Sequence, residues 1–122
     1  MTVTKKLILS PEYKSLSPVW EDTETEKRNF EFEELFDLGI DGCVISKLRT
    51  WQNMSNSVFE KIKNCPFTER FYTKEEALEF DRLGITILLE LREQLPNCLI
   101  SYYSSFFKQR IILGGSDVYY YH

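Results

Sequence analysis

At 122 residues and 14.5 kDa, the chain has the length of one ordinary domain and enough residues for a hydrophobic core. Hydrophobic residues make up 43% and charged residues 28%, a globular mix that excludes collagen-like, low-complexity and disordered classes. Nineteen acids against fifteen bases leave a net charge of −4, the opposite of a nucleic-acid binder's basic footprint.

In chain order, Val3 to Leu9 reads as a short strand. Its apolar run, Leu7-Ile8-Leu9, is far shorter than that of a signal peptide. Nowhere do the ~20 apolar residues of a membrane span occur, so a cytoplasmic protein with no membrane contact is expected. Ser10-Pro11 and Ser17-Pro18 mark a turn-rich stretch, because the residue before proline is pushed out of the helical region. Residues 21–37 then hold eight acids (Glu21, Asp22, Glu24, Glu26, Glu31, Glu33, Glu34 and Asp37) and two bases, Lys27 and Arg28. That block carries −6, so the remainder of the chain carries +2. Within it, Phe30-Glu31-Phe32-Glu33 alternates apolar and acidic, the pattern of a strand with one buried face. Such a strand would place Glu31 and Glu33 on one side. Gly39 and Gly42 end the segment.

Leu48, Trp51, Ser55, Val58 and Ile62 step by three and four, which predicts a helix over residues 43–63. Asn53, Ser55 and Asn56 are poor mid-helix residues, so irregularity is expected near its centre. A second helix starts at the capping box Thr73-Lys74-Glu75-Glu76 and ends at Pro96-Asn97. Its apolar face is Ala77, Phe80, Gly84, Leu88, Leu91 and Leu95. Gly84 costs roughly 1 kcal/mol against alanine, which points to a close approach, under a Trp or Phe of the first helix. Leu99 to Tyr103, Phe106 to Leu113 and Val118 to Tyr121 are β-rich, with Gly114-Gly115-Ser116-Asp117 as a turn. Segregated helices and strands predict an α+β fold for a single domain, residues 1–122: two main helices packed on a small, mostly antiparallel sheet.

Catalytic signals are missing. The one histidine is His122, and Cys43, Cys65 and Cys98 lie too far apart for a CxxC motif. The cysteines read as reduced, small buried hydrophobes. No catalytic residue, metal ligand or cofactor is expected. Lys108 and Arg110 beside Phe106-Phe107 combine cations with aromatics, as a single-stranded nucleic-acid platform does, but two cations are few on an acidic chain.

The helical core carries a resemblance. Leu48-Arg49-Thr50-Trp51-Gln52 with Phe59, then Phe80-Asp81-Arg82-Leu83-Gly84, Leu88 and Leu91-Arg92-Glu93-Gln94-Leu95 before Pro96 and the following strand, resemble immunity proteins of bacterial toxin–immunity systems. These include contact-dependent growth inhibition and other polymorphic toxin systems. The resemblance spans residues 43–103. It implies a protein that binds and neutralises one cognate toxin domain by occlusion, with no catalysis and no cofactor. The acidic block and the C-terminal strands fall outside it and would fit a particular toxin. A nuclease toxin needs a basic cleft to hold phosphates, and clustered carboxylates complement one. The candidate partner-binding residues are therefore Glu21, Asp22, Glu24, Glu26, Glu31, Glu33, Glu34 and Asp37. Trp20, Tyr119, Tyr120 and Tyr121 are the candidate anchors, since hot spots favour Trp and Tyr. The rival readings are a small carboxylate-dependent enzyme and a regulatory subunit of a larger assembly.

Overall fold

Alternating burial builds one sheet. The computed structural model describes residues 5–23, 25–64, 74–104, 107–114 and 117–121, with residues 62–64, 114 and 117–121 as backbone only. The elements are β1 (Lys5–Leu9), β2 (Val19–Asp22), β3 (Lys27–Asn29), α1 (Phe32–Asp37), α2 (Gly42–Asn64), α3 (Lys74–Gln94), β4 (Cys98–Ser104), β5 (Gln109–Gly114) and β6 (Asp117–Tyr121). The strands run in the order β3-β2-β1-β4-β5-β6. All neighbours are antiparallel except β1 and β4, which pair in parallel with Leu7 opposite Ile100 and Leu9 opposite Tyr102. The chain is an α+β protein, with a third, short helix beside the two main ones.

Leu7, Leu9, Val19, Ile100, Tyr102, Ile111 and Leu113 point to one face and are buried there with Val44, Leu48 and Trp51 of α2 and Phe80, Ile87, Leu88 and Leu91 of α3. The opposite face carries Lys6, Ile8, Trp20, Leu99, Ser101, Tyr103, Arg110 and Ile112, all half-buried or exposed. That is the one-sided burial of an antiparallel sheet with helices on a single face.

Gly84 sits where α3 crosses Trp51. A Cβ there would stand 2.7 Å from Trp51 Cζ2 and 3.0 Å from Tyr102 Cζ, so the close approach is to two side-chain rings. The Trp51 indole N–H donates to the Phe80 carbonyl at 3.0 Å, and the Trp51 and Phe80 rings stack at 5.2 Å. Next to them Asp81 is 2% exposed. Its carboxylate accepts from the Tyr102 hydroxyl at 2.6 Å and the Ser104 hydroxyl at 2.9 Å. Ser104 Oγ in turn accepts the Phe107 amide at 3.0 Å, which ties the β4–β5 turn to α3.

The expected irregularity in α2 is absent: the helix runs unbroken from Gly42 to Asn64. Its polar centre is used instead to hold the proline-rich connection before β2. Ser55 donates to the Pro11 carbonyl at 2.7 Å, Gln52 donates to the Glu12 carbonyl at 2.7 Å, and Asn56 Oδ1 accepts the Lys14 amide at 3.1 Å. These bonds outweigh the modest helix propensity of those residues. Asp41 caps α2 by accepting the Val44 amide at 3.0 Å and exchanges two hydrogen bonds with Gln94 at the end of α3.

Several expectations change. Phe32 and Glu33, read with Phe30 and Glu31 as an acidic strand, instead open the helix α1 (Phe32–Asp37). The strand expected from Phe106 begins at Gln109, because Phe107 and Lys108 form the turn and Lys108 has φ of 54°. Cys98 is buried as expected, whereas Cys43 is exposed on the first turn of α2. The Thr73 cap, Cys65, Phe106, Gly115, Ser116 and His122 lie outside the described residues.

Candidate partner-binding site

The acidic block folds into one margin of the molecule, the β2–β3 hairpin followed by α1. Trp20 and Glu21 stand on β2, facing opposite sides of the sheet. Trp20 is half-buried, and its indole N–H donates to the Ser10 carbonyl at 2.9 Å. Glu21 lies 3.4 Å from Lys5 on the neighbouring strand. Asp22 ends β2 and is exposed. The hairpin closes where Thr23 Oγ1 donates to the Glu26 carbonyl at 2.5 Å and accepts the Glu26 amide at 3.0 Å, which leaves the Glu26 carboxylate outside. Glu24 lies outside the described residues.

Beyond β3 the chain turns into α1 at Glu31, whose extended backbone (φ −81°, ψ 158°) makes it the N-cap. Its amide donates to the Glu34 carboxylate at 3.0 Å, the reciprocal half of a capping box. Arg28 of β3 pairs with the same carboxylate and lies 4.7 Å above the Phe30 ring. The Glu31 amide first, and the Arg28 guanidinium second, hold the Glu34 carboxyl below its ordinary range. Gly39, at φ of 100°, closes the helix in a conformation that glycine adopts without a Cβ penalty. Glu31 and Glu33 therefore do not share a strand face: the first caps the helix and the second sits on it. The motive for pairing them as catalytic carboxylates goes with the strand.

Once the segment is a helix, its exposed side can be read. Glu33, Phe36 and Asp37 are three and four residues apart and share one face, while Leu35 is buried behind them. Phe36 is 55% exposed. Nothing in the run of phenylalanines and glutamates marks this ring as the one left outside. Asp22, Glu26, Glu33 and Asp37 form no ion pair among the described residues. No group of three His, Cys, Asp or Glu side chains that could hold a metal ion occurs among them either. Tyr119, Tyr120 and Tyr121 lie on β6, at the opposite edge of the sheet from β3, so they and the acidic block do not form one surface.

A family model described as Serratia CdiI immunity protein-like matches residues 5–105. The chain belongs to this family. It is an immunity protein of a contact-dependent growth inhibition system, and a cognate toxin is its implied partner. The CdiI match runs from β1 to the end of β4 and so takes in the acidic hairpin and α1, beyond the helices that carried the resemblance. Within the chain of this CdiI-like protein, β5 and β6 lie past the matched residues. No curated protein and no solved structure matches it. No helix among its described residues is long and apolar enough to cross a membrane.

Proposed function

We propose that this immunity protein neutralises a nuclease toxin in the cytoplasm by occupying the toxin's basic substrate cleft with the margin formed by the β2–β3 hairpin and α1. The observation that carries the reading is the exposed face of α1, which presents Phe36 together with Glu33 and Asp37. Carboxylates that lack an internal partner steer a cationic surface toward them, and an exposed aromatic supplies apolar area at the point of contact. No bond is made or broken in this action. The toxin is held off its substrate, and the family membership supports a binding role over an enzymatic one.

Steering shows in association. Exposed charges act over a Debye length of about 8–10 Å at ordinary salt, so the margin works as one field. Replacing Glu26, Glu33 and Asp37 by Lys should slow association with the toxin domain of the neighbouring reading frame and flatten its salt dependence. Glu31 and Glu34 are left intact because they build the helix start. Melting temperature serves as control, since exposed substitutions usually shift stability by less than ~0.5 kcal/mol. Wild-type association with unchanged salt dependence would remove this margin from the interface.

A further inference from the structure

The two central strands leave the sheet in opposite directions. From the end of β1 the chain runs out to β2, and from the end of β4 it turns the other way, to β5. Diverging connections at the carboxyl ends of adjacent parallel strands leave a crevice between them, as at the switch point of open α/β sheets. Here the crevice is a cleft of about 330 Å³. Ile8, Trp20 and Tyr103 line it, with Lys27, Arg110 and Glu12 around them. Trp20 is held in place by its bond to Ser10, at the mouth of the same cleft.

The charge of this cleft runs against that of the molecule. Two cations against one carboxylate leave it positive in a chain of net −4. Neither the Lys27 ammonium nor the Arg110 guanidinium has an ion-pair or hydrogen-bond partner among the described residues, although Glu12 lines the same cleft. Flat apolar walls with unneutralised cations suit a carboxylate on a short apolar stem. A bound partner would also exclude water and strengthen the pairing.

We propose that the cleft receives an acidic side chain of the toxin, its carboxylate bound by Lys27 and Arg110 and its stem packed on Trp20 and Tyr103. This rests on the reading of the chain as a toxin-binding protein, and it adds a second contact of opposite sign to the acidic margin. A pair desolvated in the contact governs dissociation, whereas the margin governs association. Lys27→Gln and Arg110→Gln should each raise the dissociation rate from the neighbouring frame's toxin domain about tenfold. Association should not slow, because both changes remove positive charge from a partner of a basic protein. Lys74→Gln, the same change at the start of α3, should stay within twofold of wild type. Dissociation of both cleft variants within twofold of wild type would overturn the contact. Inorganic phosphate that binds the wild type tightly, with toxin binding intact in both variants, would assign the cleft to a free anion and overturn it too. A wild-type protein that does not bind the toxin would fail the underlying reading, and the contact with it.

Discussion

Gly84 and Glu34 show how single residues set local stability. A Cβ on Gly84 would meet Trp51 at 2.7 Å, and an indole enclosed by Phe80 and Tyr102 has little room to move away. Overpacking costs ~1–3 kcal/mol, against ~1 kcal/mol of helix propensity gained. Gly84→Ala should therefore lower the denaturation midpoint; an unchanged or higher midpoint would show that the rings shift freely. For Glu34, the folded-state pKa is lowered by the Glu31 amide and Arg28. A carboxylate favoured in this way adds stability above its unfolded pKa and loses it as pH falls through the folded one. Glu34→Gln should melt below wild type at neutral pH, and the two should converge in acid, once the pH has fallen through the lowered folded-state pKa. A gap that persists in acid would place the effect elsewhere. Gly84 was legible in the sequence because a glycine inside a strong amphipathic pattern needs a reason. Phe36 was not, since nothing in a row of phenylalanines and glutamates says which ring stays outside.

The main helices were legible for the same physical reason that they are stable: their apolar residues recur at the helical period over 15 positions (Leu48 to Ile62) and 19 positions (Ala77 to Leu95). Leu88 and Leu91, assigned to the buried face of α3, are each 1% exposed. Leu→Ala at either should cost roughly 2–5 kcal/mol, read as a fall in the denaturant midpoint. An unchanged midpoint would mean that α3 does not anchor the core. The N-terminal hairpin resisted reading. β3 is Lys27-Arg28-Asn29, three polar residues at a sheet edge, where charge guards against strand addition and erases the alternating signal. Four alternating residues at Phe30 to Glu33 fitted a strand as well as a helix start. The deciding feature was the Glu31–Glu34 capping pair, which lacks the Ser or Thr that usually marks one.

At the scale of the molecule, the roles proposed for the acidic margin and the basic cleft divide one task between two rates, association and dissociation. The margin was legible because net charge can be counted along a chain. The cleft was not: Lys27, Trp20, Tyr103 and Arg110 are scattered over more than eighty positions and meet only because β1 lies beside β4. That pairing also times the protein's birth. The parallel partner of β1 is made roughly ninety residues after it, on the order of ten seconds at ordinary translation speed. Until then Leu7-Ile8-Leu9 has only the short β2 hairpin to pair with, and α2 and α3 lack the other half of the sheet they cover. The nascent chain thus carries an apolar strand with one edge unpaired. A message broken before β4 leaves the helices without the central strand of their sheet, however much of the acidic margin it encodes.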